Sequence, residues 1–160
     1  MTRLNKDQLK QTLLRSLDEE IEAAISAATQ AQQTAAHEDN KPENQYDTLS
    51  LEAAYLAHGQ SERILELQQQ RIRLAKWDVP AFDDDDEIAC GALIQLCHPQ
   101  QGERWLWLTL LAGGRRLLWQ GNAVTVVSSD APLAQLVLHK GVGDDIRWQG
   151  MDGWEITQLQ

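Results

Sequence analysis

Four carboxylates crowd one short stretch of the chain. Residues 37–47 read His-Glu-Asp-Asn-Lys-Pro-Glu-Asn-Gln-Tyr-Asp, so Glu38, Asp39, Glu43 and Asp47 fall within ten positions. Hydrolysis of a phosphodiester by two divalent metals needs oxygen ligands that hold the second ion about 4 Å from the first. Mg²⁺ takes only one or two protein carboxylates and keeps several waters. Two acids on a stiff support could therefore complete, in trans, a site that already holds one metal. Asp39 and Glu43 stand on either side of Asn40-Lys41-Pro42, and Glu38 stands beside Asp39. The plain alternative is a set of solvated acids at helix ends, and the composition of the stretch leaves both readings open.

The other chemistry-bearing residues are scattered. His37, His58, His98 and His139 show no ligand spacing and read as surface or packing residues. Cys90 and Cys97 form no C-x-x-C, which excludes a four-cysteine zinc ribbon; they read as reduced core residues. The sequence contains no Ser-His-Asp set, phosphate loop or dinucleotide fingerprint.

A stiff support is written on both sides of the acidic stretch. Leu14, Leu17, Ile21, Ala24, Ala28, Ala31 and Ala35 follow one another at alternating gaps of three and four, a heptad seam. The seam starts large and ends in alanine, so a partner helix can approach closely near His37. No Gly or Pro interrupts Asn5 to Glu38, which allows a helix about 50 Å long. Beyond the stretch, Leu51, Ala54, Leu65, Ile72 and Ala75 keep a heptad frame that also contains His58, Ser61 and Gln68. Pro42 suits a first helical turn, and Asn40 is a cap with Glu43 as its partner three residues on. The expected solution is a two-stranded antiparallel coiled coil closed by a turn near Asn40, with the acids at its tip.

The heptads end at Lys76-Trp77-Asp78-Val79-Pro80, and Asp83-Asp84-Asp85-Asp86-Glu87 reads as a solvated linker. From Ile88 the texture is β-like: Ile88–Cys97, Arg104–Leu111, Arg115–Trp119, Ala123–Val127, Ile146–Trp148 and Trp154–Leu159. Gln100-Gln101-Gly102, Gly113-Gly114, Gly121-Asn122 and Asp152-Gly153 supply turns between them. One short helix is expected over Pro132–His139, with Asp130 or Ser129 as its cap and Gly141 as its stop. Trp105 and Trp107 share a strand face, and with Trp119, Trp148 and Trp154 they are the expected core. The fold class is α+β: a hairpin over 1–79, a linker over 80–87 and a globular domain over 88–160.

The chain carries a formal net charge of -10 from 14 Lys and Arg against 24 Asp and Glu. Binding to free duplex nucleic acid is driven by cations and is not expected. A basic protein partner, or a metal held by carboxylates, fits better. No apolar run is long enough to span a bilayer and no N-terminal apolar leader is present, so no membrane association and a cytoplasmic setting are expected.

Read together, the two halves resemble the Gre-type transcript-cleavage factors that bind bacterial RNA polymerase. At the tip the family carries an Asp, then Glu-Asn, then a Tyr, and Asp39, Glu43-Asn44 and Tyr46 stand in that arrangement. There is one extra residue between Asp39 and Glu43, Pro42 precedes the Glu, and Tyr46 comes one position early. In the globular half, Val127-Ser128-Ser129-Asp130-Ala131-Pro132-Leu133-Ala134 and then Leu138-His139-Lys140-Gly141-Val142-Gly143-Asp144 are similar to the family's strand, the start of its helix and the turn that follows.

The resemblance implies an FKBP-like C-terminal domain of antiparallel strands with one short helix. It implies RNA polymerase as partner, reached through the secondary channel, with the 3′ end of backtracked RNA met only inside that complex. The polymerase would perform the cleavage, so the chain would be its cofactor protein rather than an enzyme. It would bind no cofactor alone, share Mg²⁺ with the polymerase through Asp39 and Glu43, and act as a monomer. Ser128, Ser129, Asp130 and Pro132 would hold the channel rim, and Tyr46 would brace the tip. Two outcomes stay open at the polymerase: stimulated cleavage, or occupation of the channel without it. Two further classes also stay open. A peptidyl-prolyl isomerase needs an open aromatic-lined pocket, and a coiled-coil adaptor needs no acidic tip.

Overall fold

The structure, a computed structural model, describes residues 5–39 and 48–160, and side chains outside 35–57. Helix α1 (Lys6–Asp39) starts from Asn5, whose side-chain oxygen accepts the backbone N–H groups of Asp7 and Gln8 at 3.0 and 3.4 Å. Helix α2 (Thr48–Lys76) returns. The turn expected near Asn40, with Pro42, Glu43 and Tyr46, lies outside the described residues.

Leu14–Ala75 forms one compact unit. Within it the α1 seam is the expected one through Ala31: Leu14, Leu17, Ile21 and Ala28 are buried and Ala24 and Ala31 half-buried, while the Ala35 side chain lies outside those described. The α2 seam is not. His58, Ser61, Leu65, Gln68, Ile72 and Ala75 all face solvent, Leu65 at 58% and Ile72 at 53% exposure. The buried stripe runs one position away, through Gln60, Ile64, Leu67, Arg71 and Leu74, at the same three-four spacing. Arg71 can occupy a seam because its stem packs while its head reaches out. Its guanidinium grips the Asp18 carboxylate at 2.6 and 3.2 Å, and Arg63 meets Glu20 at 2.9 Å. These contacts descend α2 as they ascend α1, so the helices are antiparallel. Exposed pairs of this kind add little energy; the seam residues carry the packing.

The start of α1 through Leu13, with Lys76–Gln160, forms the other unit. Its strands are β1 (Leu93–His98), β2 (Gly102–Thr109), β3 (Arg116–Trp119), β4 (Asn122–Ser128), β5 (Asp145–Trp148) and β6 (Met151–Leu159). Helix α3 (Pro132–Val137) follows β4, and the sheet order is β3-β4-β2-β1-β6-β5. The sheet is mixed rather than wholly antiparallel, because β4 runs parallel to β2. Residues 110–115 carry the chain past the β4 position to the outer strand β3, and the tight β3–β4 hairpin then brings β4 back beside β2 in β2's direction. Its two-residue turn, Gln120-Gly121, has both φ values positive (47° and 79°), which suits the twist of a hairpin. Gln149-Gly150 turns the β5–β6 hairpin in the same way. The expected Asp152-Gly153 turn instead lies inside β6.

The sheet is covered on both faces, and the tryptophans divide between them. Ile94, Leu96, Leu106, Leu108, Trp154 and Ile156 form one core with Ala134 and Val137 of α3, and Trp148 packs against it. The alternate residues Leu93, Trp105, Trp107, Val124 and Val126 fill the opposite face. Trp77 stacks on Trp107 there, ring centres 6.0 Å apart. Lys10 donates to the Trp77 carbonyl at 2.6 Å, and Lys6 to those of Pro80 and Gln160 at 2.5 and 2.9 Å. Gly91 permits this closure: a Cβ there would lie 2.5 Å from the Pro80 ring, and its φ is 99°. The acid run Asp83–Glu87 is exposed, and the Asp86 carboxylate accepts the Asp83 N–H at 2.7 Å. Among the described residues no helix is long and apolar enough to cross a membrane.

Candidate functional site

The two stretches singled out in the sequence fall differently. Asp39 is the last residue of α1, and its side chain, like Glu43 entire, lies outside the described residues. The α1–α2 pair therefore places Asp39 at the end of a long helix, and no carboxylate geometry is described there. Among the described residues, no group of three or more His, Cys, Asp or Glu side chains is placed to hold a metal ion.

Ser128, Ser129, Asp130 and Pro132 form the turn that leads from β4 into α3. This turn is braced from beneath. The Ser129 N–H and hydroxyl both donate to the Thr109 carbonyl at 3.0 Å, and the Thr109 hydroxyl donates to the Leu111 carbonyl at 2.7 Å. Gly113 lies against Ser128 so closely that a Cβ would stand 2.7 Å from its backbone nitrogen. Gln135 donates to the Ser129 carbonyl at 3.0 Å from one turn into α3. The sequence shows Gly113-Gly114 only as a turn, and Thr109 and Gln135 carry no signal of this role.

The cap expected of Asp130 or Ser129 is absent from α3. Its N-cap is Ala131, with no side-chain cap bond. The Asp130 carboxylate instead accepts the Ser128 hydroxyl at 2.7 Å. That bond turns the acid away from the helix and holds an exposed negative charge in a fixed place. Pro132 at the first helical position is as expected, since its missing N–H costs nothing there. The helix ends at Val137, two residues early, because the chain turns to pair with Ile88: His139 N–H donates to its carbonyl at 3.0 Å and Ile88 N–H to Lys140's at 2.8 Å. His139 adopts a φ of 68° to do so.

Trp105, Trp107 and Trp154 are buried, and Trp77, Trp119 and Trp148 are half-buried. Trp107 and Trp154 are 0% and 1% exposed. A cavity of about 320 Å³ opens beside Lys6, lined by Val79, Pro80 and Phe82 among others, and one of about 410 Å³ lies between His98 and Gly153. Neither is lined by tryptophan. His98 is a structural residue: its Nδ1 accepts the Gln100 and Gln101 N–H groups at 3.0 and 3.2 Å, so Nε2 carries the proton to the Asp152 carbonyl at 3.1 Å. Cys97 is half-buried, its sulfur 3.3 Å from the Thr157 hydroxyl, and both cysteines are free thiols.

No protein-family model and no curated protein matches the chain. Among solved structures it is similar to GreA factor homolog 1 (Gfh1) of Thermus thermophilus, at 14% identity over 92% of this chain and 94% of that one, with a TM-score of 0.37. It is also similar to Gfh1 of Thermus aquaticus, at 17% identity over 91% and 92% of the two chains, with a TM-score of 0.36. Likeness at these values decides no question of function.

Proposed function

We propose that the chain is a transcription regulator that binds RNA polymerase through the secondary channel. The observation that carries this reading is the acid cluster in the sequence between two long helices that pack antiparallel, on a chain whose globular half resembles the Gre-type pattern over residues 127–144. In this reading the globular unit docks and the hairpin reaches inward. Asp39 and Glu43 supply oxygen ligands to a second Mg²⁺ of the polymerase, which performs the cleavage of backtracked RNA. Two carboxylates are within the one or two that Mg²⁺ takes from protein. The chain contributes no reaction of its own. The closed arrangement of Trp107 and Trp154 disfavours a prolyl-isomerase reading, which needs an open aromatic pocket.

Docking is assigned to the turn Ser128–Pro132. Its support is the exposed Asp130 carboxylate, fixed by Ser128 and suited to a basic partner surface. The test is a binding titration of labelled protein against the cognate polymerase. Asp130→Arg should weaken binding by roughly tenfold or more, as reversal of an interface charge does, with an unchanged melting temperature. Unchanged affinity would remove the turn from the interface.

A further inference from the structure

The open edge of the sheet at β3 combines features that the polymerase reading does not use. Strand β3 is the last strand of the sheet on its side. Val126 N–H donates to the Arg115 carbonyl at 2.8 Å, and the hairpin register then pairs Leu117 with Val124 and Trp119 with Asn122. Antiparallel ladders alternate, so Leu117 and Trp119 spend their backbone groups on β4. The N–H and C=O of Arg116 and Leu118 point outward along the free edge.

The side chains beside this edge are apolar and cationic. Leu118 is 76% exposed, the most exposed large hydrophobic residue among those described. It stands opposite Ala123, also exposed, and Arg116 stands opposite Thr125. Arg104 of β2 lies on the same face, as shown by its guanidinium 5.8 Å from the Trp154 ring, although it leans away from β3. Glu103 is the one acid in β2, β3 and β4, and alternation puts it on the other face. In a chain of net charge -10, this face of three strands carries two cations and no anion. A single charged residue on an edge strand can guard it against pairing. Leu118 is what a guarded edge avoids.

We propose that the β3 edge is a docking site for an acidic, extended peptide segment of a partner protein, which adds a seventh strand. Main-chain bonds to Arg116 and Leu118 supply the pairing, Leu118 and Ala123 receive an apolar side chain, and Arg116 receives a carboxylate. The site is separate from the Ser128–Pro132 turn. It lies beside the start of β4, about 16 Å along the strand at 3.3 Å per residue.

The test uses the full chain and a labelled synthetic peptide of alternating glutamate and valine, followed by fluorescence anisotropy and by amide exchange in NMR. The glutamate peptide should bind, and a lysine–valine peptide should not. At saturation the amides of Arg116 and Leu118 should exchange at least tenfold more slowly, while that of Leu117, already paired, should not change. Arg116→Glu should weaken binding by roughly tenfold, with the thermal melt unchanged. Several results would overturn the proposal: equal binding of the lysine peptide, protection confined to other strands, or an unaffected Arg116→Glu variant. So would binding of an oligouridylate in place of the peptide, or concentration-dependent self-association that closes the edge.

Discussion

The α2 frame can be tested by comparing two leucines two residues apart. Leu67 is 0% exposed and Leu65 is 58% exposed. Truncating Leu67 to alanine removes roughly three buried carbon groups at about 0.8 kcal/mol each, near 2.4 kcal/mol before any cavity is counted. Buried Leu→Ala changes fall at about 2–5 kcal/mol, so about 3 kcal/mol is expected here. Leu65→Ala removes contacts from less than half of a side chain, and alanine is the better helix former, so its net cost should be about 0–1 kcal/mol. A unit of this size loses roughly 4–8 °C per kcal/mol, which places Leu67→Ala roughly 12–24 °C below the parent. Leu65→Ala should stay within about 8 °C of it. The assay is thermal melting followed by circular dichroism at the helix band, with the tryptophan signal recorded in parallel so that the sheet unit is read separately. Equal losses, or a larger loss at Leu65, would show that Leu65 and Ile72 face the partner helix and that the buried stripe assigned here is wrong.

Gly91→Ala should destabilise the sheet unit by about 3 kcal/mol, from a left-handed backbone position and the clash with Pro80 together, and should change the near-ultraviolet signal of the Trp77–Trp107 stack. Lys6 gives a pH dependence of definite sign: burial lowers its pKa from 10.5 to about 8. Between those values the unfolded chain holds more protons, so stability should rise with pH through that window; below it the full cost of the buried charge is present. Allowing for solvent at the partly exposed head, the rise should be about 1 kcal/mol, and Lys6→Met should abolish it in denaturant titrations at each pH.

The parts of the fold that were legible in the sequence are those where apolar spacing had a single solution. The α1 seam is one, since no second apolar stripe competes with Leu14, Leu17 and Ile21. The number of strands is another, although the Ile88 run becomes a strand only at Leu93 and Gly153 lies inside β6 rather than in a turn. The α2 frame was not legible, because Leu65 and Ile72 outweigh Gln60 and Arg71 on hydropathy. Arg71 sits on the stripe because its stem packs and its head reaches out to the Asp18 carboxylate, a pairing that the spacing along α2 does not show. The parallel β2–β4 pair was hidden for a different reason: strand order depends on which side a crossover takes, and residues 110–115 do not encode that locally. In the turn at Ser128–Pro132, Ser128 and Asp130 stand out in the sequence, but their bond to each other displaces the expected cap. The brace at Thr109 and Gly113 comes from a distant strand and is visible only when the sheet is assembled.

If Asp39 and Glu43 complete a metal site inside the polymerase, transcript cleavage on a stalled, backtracked elongation complex, titrated with Mg²⁺, will respond to both carboxylates. The wild-type chain should accelerate cleavage. Asp39→Asn and Glu43→Gln should each lose that activity and need more Mg²⁺ for what remains, while still competing for polymerase. The double variant should be no worse than the more damaging single, because both groups serve one ion. If the wild-type chain gives no cleavage at any Mg²⁺ concentration yet blocks an active factor, the ligand role is wrong and the chain occupies the channel as an inhibitor. If it neither cleaves nor competes, the polymerase reading itself is contradicted.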